Sequence, residues 1–165
     1  MAVVPHLKNG NVLIKNGGVL GCCCDGGPVD PNLCGQCETS SLFIYIRVDL
    51  AVGIGVFNTY CHTETISLDT IFGVSPFNSV ETCWVKNTIM VQLPEEYYGP
   101  DYFYTFDLIW QDDLAAWIVN PEFSASGFAV ISNSRCDPSG YYEDTNEGNI
   151  VAAIEISLLP IDGCY

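Results

Sequence analysis

Basic side chains are scarce in this chain. Lys and Arg together number 5, against 20 Asp and Glu, for a formal net charge of −15. Such a surface repels a phosphate backbone, so the sequence predicts no nucleic-acid partner. An anionic membrane surface is disfavoured for the same reason. Basic proteins, cations and neutral glycans remain open as partners, and the charge also keeps an apolar chain in solution. Long hydrophobic runs are missing too. Apolar residues make up 48% of the 165. Yet no stretch approaches the roughly 18 to 20 consecutive apolar residues of a spanning helix. The surplus belongs in a core, a subunit interface or both, and a homo-oligomer is expected.

Catalytic signatures are equally sparse. There is no G-x-S-x-G and no P-loop, and Gly53-Ile54-Gly55 lacks the third glycine of a dinucleotide site. Histidine occurs only at His6 and His62. Cys61 and His62 are neighbours, and neighbours on a strand point to opposite faces, so they do not form a nucleophile–base pair. Cys34-Gly-Gln-Cys37 lacks the βαβ context of a redox motif. The carboxylate pairs Glu95-Glu96 and Asp112-Asp113 fall in turns, where solvated acids are ordinary. The chain is therefore expected not to be an enzyme. Its opening, MAVVPHLKNGNVLIKNGG, carries neither a basic n-region nor a long apolar h-region. Synthesis in a cytoplasm-like space without a signal peptide is expected. No N-x-S/T acceptor is present.

Cysteine, by contrast, is abundant. There are nine, five of them between Cys22 and Cys37, the others at Cys61, Cys83, Cys136 and Cys164. Cys22 or Cys24 with Cys34 and Cys37 gives two short knuckles able to close four thiolates around zinc. The first knuckle departs from a clean C-x2-C, because Cys22-Cys23-Cys24 is contiguous. Disulfides within the loop, cross-links to a neighbouring chain, and free thiols are the alternatives. Nine is odd, so at least one thiol stays free or pairs between chains.

Hydrophobic spacing divides the chain into an arm, a linker and a domain. Val12-Leu13-Ile14, Asn16-Gly17-Gly18 and Val19-Leu20 read as a hairpin with an Asn-Gly turn. Residues 21–40 offer glycine, proline, aspartate and cysteine and almost nothing to pack. From Ser41 the pattern changes. Leu42, Ile44, Ile46, Val48, Leu50, Val52, Ile54 and Val56 alternate with polar or small residues, the clearest strand signal present. A bend or bulge is expected at its glycines. Further strands are predicted over 65–72, 83–93, 102–110, 114–119, 127–132 and 150–159, with no helical period. The fold class is all-β: an antiparallel β-sandwich or jelly-roll-like domain over 41–165, preceded over 1–40 by a hairpin arm and a Cys-rich linker.

Two further segments carry candidate sites. The loop 137–147 is rich in oxygen ligands, and Asp137, Ser139, Glu143, Asp144 and Glu147 are candidates for calcium, although not at EF-hand spacing. The plain alternative is an acidic surface loop. Tyr97, Tyr98, Tyr102 and Tyr104 crowd a loop and strand edge where they would stack on sugars or anchor a protein contact. Packing at the core edge is the plain alternative.

The opening His6-Leu7-Lys8-Asn9-Gly10-Asn11-Val12-Leu13-Ile14-Lys15 leads into Cys22-Cys23-Cys24 and then Cys34-Gly35-Gln36-Cys37. This resembles a loosely defined set of cysteine-rich β-sandwich proteins of phages and phage-like elements. Those share a short lead-in, a CCC-type cluster and a β domain containing Trp and Cys, here Cys83-Trp84 and Trp117. The resemblance is strongest over residues 1–40. It implies a virion protein, in head decoration or the tail, whose partners are other virion subunits, and it brings no catalytic residues. An arm with strand character would add to a neighbour's sheet. Deleting residues 1–40 is expected to abolish assembly. A glycan- or surface-binding module, and a zinc-clasped interaction module inside a cell, are the alternatives.

Overall fold

The structure, a computed structural model, describes residues 6–8 and 11–13 as backbone. It describes 34–35, 37–53, 55–94, 102–122, 124, 127–147 and 149–164 with their side chains. The strands in chain order are β1 (His6–Lys8), β2 (Asn11–Leu13), β3 (Ser41–Gly53), β4 (Val56–Ser67), β5 (Ile71–Val74) and β6 (Glu81–Gln92). They continue as β7 (Phe103–Gln111), β8 (Ala116–Pro121), β9 (Ala129–Ser132), β10 (Gly140–Asn146) and β11 (Asn149–Ser157). The chain is all-β. Four strands form one antiparallel sheet in the order β10-β11-β3-β4, and five form a second in the order β5-β6-β7-β8-β9. The two share one hydrophobic core and make a β-sandwich. β5 to β9 stay in a single sheet as a meander, where a jelly roll would pass successive strands between sheets. The domain closes when its last strand, β11, pairs with its first, β3, Ile156 opposite Ile46.

The alternation over residues 42–50 sets the inner face of β3. Ile44, Ile46 and Val48 are wholly buried. Across the core they meet Val85, Ile89 and Val91 of β6 and Phe106 and Leu108 of β7. Trp110 and Trp117 sit directly opposite each other on β7 and β8, ring centroids 5.9 Å apart. Burial on this scale drives folding, each full-sized apolar side chain contributing about 1.5–3 kcal/mol.

Three expected boundaries move. The alternation running to Val56 is not one strand, although a register shift between Ala51 and Gly53 supplies the irregularity expected near its glycines. The chain reverses after Gly53, Gly55 takes a left-handed φ of 69°, and Val56 opens β4 opposite Gly53. The N-terminal hairpin pairs His6 with Leu13 and Lys8 with Asn11, so the residues between its strands in sequence are Asn9 and Gly10. The turn expected at Asn16-Gly17-Gly18 lies outside the described residues. The expected partners Val19 and Leu20 lie outside the described residues. Third, much of the expected acidic loop 137–147 is strand β10.

The outer face of the five-stranded sheet is partly covered. Gln111, Ala116 and Ile118 point outward by register, as does Ile109, yet none is more than 2% exposed. The loop joining β5 to β6 crosses this face. Ser75 Oγ hydrogen-bonds Gln111 Oε1, Asn78 Nδ2 donates to Asp113 Oδ2 at 3.3 Å, and the Phe77 ring meets Phe128 edge-on at 4.4 Å. Because Phe128 precedes β9 on the far side, the loop acts as a strap over β7 and β8.

Candidate functional site

The cysteines decide the chemistry of the linker. Cys34 is bonded to Cys83 on β6, Cys37 to Cys136 in the loop after β9, and Cys61 on β4 to Cys164 near the C-terminus. A zinc knuckle needs thiolates, and the sulfurs of Cys34 and Cys37 are committed elsewhere. The zinc assignment to Cys22, Cys24, Cys34 and Cys37 is corrected accordingly, with Cys22 and Cys24 lying outside the described residues. The disulfide reading holds for Cys34 and Cys37, with partners in the domain rather than within the loop. Together the two bonds fix the end of the linker against the sandwich at two points.

A second anchor surrounds the Cys37–Cys136 bond. Arg135, next to Cys136, donates from Nη1 to Asp112 Oδ1 at 2.6 Å and from Nη2 to Thr70 Oγ1. Its guanidinium lies 5.9 Å from the Trp110 ring centre, and its carbonyl accepts Trp117 Nε1 at 3.0 Å. Gly35 is close enough that a Cβ there would sit 3.3 Å from Arg135 Nη1. One side chain thus joins linker, β4–β5 loop and β7–β8 turn.

The calcium candidates do not converge. Asp137 Oδ1 accepts the Ser139 amide at 2.9 Å, and Ser139 Oγ accepts the Leu158 amide at 3.2 Å. Glu143 and Asp144 are neighbours on β10 and point to opposite faces. Glu143 turns outward and accepts the Tyr141 hydroxyl at 3.0 Å. Partial burial first, then that bond, raises the Tyr141 phenol above its ordinary value. Asp144 turns inward, is 2% exposed, and accepts Ser124 Oγ at 3.0 Å. Ser124 Oγ lies 2.8 Å from the Tyr142 hydroxyl, and Tyr142 donates to Gly127 O at 2.7 Å. This buried network ties the β8–β9 connection to β10. Glu147 sits in the β10–β11 turn with φ of 50°. Among the described residues no group of three or more His, Cys, Asp or Glu side chains gathers as a metal site.

Of the tyrosine candidates, Tyr97 and Tyr98 lie outside the described residues. Tyr102 is exposed, and its carbonyl accepts the Leu93 amide at 2.9 Å. Tyr104 points inward against the core beside Phe106, and its hydroxyl is buried without a hydrogen-bond partner. It is therefore not a sugar-stacking ring. Burial chiefly, with Tyr142 and Asp144 adding, pushes its phenol far above the ordinary value of 10.0. Removing a buried, unpaired hydroxyl relieves about 1 kcal/mol, so Tyr104→Phe is expected to stabilise the fold by about that much in equilibrium denaturation. The raised phenol also fixes a pH dependence. Its contribution is intact below the unfolded value of 10.0 and lost as pH rises toward the folded one. Tyr104→Phe is therefore expected to lose less stability than the parent above pH 10. A variant no more stable than the parent would show that the hydroxyl has a partner.

Sequence reasoning missed the concave polar surface. On the uncovered part of the five-stranded sheet, β6 presents Lys86 and Thr88, β7 Thr105 and Asp107, β8 Asn120, and Glu122 follows. They line a depression of about 490 Å³. Asp107 is held from both sides: Lys86 Nζ lies 2.7 Å from Oδ2, and Thr88 Oγ1 donates to Oδ1 at 2.7 Å. The signal available was the alternation Lys86-x-Thr88 against Thr105-x-Asp107, which sets polar groups on one face of adjacent strands.

Every Lys and Arg among the described side chains is ion-paired: Arg47 with Asp49, Lys86 with Asp107 and Arg135 with Asp112. Comparison of the chain with protein-family models, curated proteins and solved structures finds no match.

Proposed function

We propose that this chain is a non-enzymatic structural protein of a phage or phage-like particle, a capsid-decoration or tail-associated subunit. It assembles through its N-terminal arm and its sheet edges. The observation that carries this is the arm with a fixed root. β1 and β2 pair with each other and with neither domain sheet, and the linker that follows ends in two disulfides to the sandwich.

The sheet edges differ in a way that supports the reading. β5 and β9, the edges of the larger sheet, are 4 residues each, and the β8–β9 register is broken between Trp117 and Ile118. Short and irregular edges resist pairing with another chain. β4 is 12 residues long and ends the smaller sheet. It is a template for a strand from a neighbouring copy. The cysteine count points the same way. With six cysteines paired inside the chain, Cys22, Cys23 and Cys24 remain. An odd remainder leaves at least one thiol free or bonded to another copy, and in the second case it would lock neighbouring arms together. Disulfides forming after release into an oxidising medium accord with a particle assembled in a cytoplasm.

Native mass spectrometry of the full chain and of a chain starting at Cys34 tests the proposal. The full chain is expected as a closed oligomer, and the shortened one as a monomer with the same three disulfides. If the shortened chain keeps the oligomeric state of the full one, the arm does not direct assembly.

A further inference from the structure

We propose that the depression over β6, β7 and β8 binds a neutral saccharide, a function separate from assembly and open to a monomer as much as to an oligomer. It is a shallow depression of about 490 Å³, open to solvent, so a ligand would lie across it with part of its surface wet. Its lining is what hydroxyl-rich ligands need and what other ligands do not. Asp107 accepts one bond at each oxygen from Thr88 and Lys86. Each carboxylate oxygen has a second lone pair left to accept a sugar hydroxyl. Asn120 contributes both a donor and an acceptor, Thr105 a hydroxyl and Glu122 a further acceptor. All stand on or beside paired strands, which fixes their backbone positions before a ligand arrives.

The same sheet face carries two apolar side chains next to the depression. Phe103 lies on the same face two residues before Thr105, and Met90 lies directly opposite Thr105; they are 37% and 49% exposed. A pyranose presents C–H groups on one face and hydroxyls around its edge. The ring of Phe103 suits the first and the polar floor suits the second.

Charge narrows the ligand. The depression holds one cation already paired to Asp107, plus Glu122, on a chain of net charge −15. Phosphate, sulfate and uronic acids are repelled. A metal cation is disfavoured because Lys86 already occupies Asp107. A protein partner is disfavoured because interface centres are depleted in charged side chains.

The test is titration of the full, oxidised chain by NMR. The probes are four neutral hexasaccharides, β-1,4-linked glucose, N-acetylglucosamine and mannose and α-1,4-linked glucose, with hexagalacturonate as the anionic control. At least one neutral probe is expected to bind with a Kd of about 1 mM or tighter, shifting amides of β6, β7 and β8. Asn120→Ala and Glu122→Ala are each expected to weaken it about three- to tenfold, the effect of one lost hydrogen bond, with the melting temperature unchanged. The proposal is overturned if no neutral probe binds, if hexagalacturonate binds as tightly, or if both variants bind like the parent.

Discussion

Replacing Cys37 and Cys136 together by alanine is expected to lower the unfolding free energy by about 4 kcal/mol. The bond closes a loop of 99 residues, and the chain entropy it removes from the unfolded state amounts to roughly 4 to 5 kcal/mol for a loop of that size. Strain and residual structure in the unfolded chain usually reduce the realised figure to about 2 to 4 kcal/mol. The segments it joins lie outside the strands and are otherwise ordered by single hydrogen bonds and by the Arg135 contacts. Residues 37–40 precede the first domain strand, and residues 133–139 hold only the isolated bridge between Ser134 and Asp137. The Arg135 contacts to Asp112 and Thr70 depend on the position of that same loop. The Cys34–Cys83 bond remains in the variant and keeps the linker near β6. Urea denaturation of both proteins gives the difference. A loss below about 1 kcal/mol would mean that the bond does not constrain the unfolded chain as described.

Gly140→Ala should cost about 3 kcal/mol or more, toward or beyond the upper end for overpacking. Gly140 opens β10 where the chain passes from the larger sheet to the smaller. A Cβ there would lie 2.3 Å from the Ile131 carbonyl oxygen and 2.9 Å from the Ile131 carbonyl carbon. The obstacle is backbone, so no side-chain rotation relieves it, and β9 and β10 would have to separate. Separation would also disturb the buried network in which Tyr142 and Asp144 of β10 meet Ser124. Gly53→Ala is the matched control, because nothing lies within 4 Å of its Cβ position. It should change stability by less than about 0.5 kcal/mol. Equal effects at the two positions would mean that the close approach of β9 and β10 does not hold in solution.

The parts of the fold that can be read from sequence are those where one face is buried and the other wet. β3 is the clear case: Ile44, Ile46 and Val48 inward, Tyr45, Arg47 and Asp49 outward. β11 follows the same rule with Ile154 and Ile156. β4 escapes it, because the inward positions Asn58, His62 and Glu64 lie on an edge strand where polar groups still reach water. β10 escapes it for the opposite reason. Asp144 is an acid placed inward, tolerated because Ser124 hydrogen-bonds it. In β8, Ala116 to Val119 are all buried, which period two cannot express. The cause is the strap from the β5–β6 loop, a contact between residues far apart in sequence.

The candidate sites divide along the same line. Cysteine spacing shows local knuckles, whereas the bonds formed span 49, 99 and 103 residues and depend on which strands end up adjacent. Tyr102 and Tyr104 stand out by composition, but parity places Phe103 between them on the outer face beside the polar depression. Strand parity becomes usable only once the register with β6 and β8 is known.

Long-range disulfides fix the linker and the C-terminal segment to the sandwich. Peptide mapping of the unreduced protein by mass spectrometry tests it most directly. Three cross-linked peptide pairs are expected, joining Cys34 to Cys83, Cys37 to Cys136 and Cys61 to Cys164. A peptide carrying a Cys34–Cys37 bond, or free thiols at both positions with one zinc retained in the native spectrum, would contradict it.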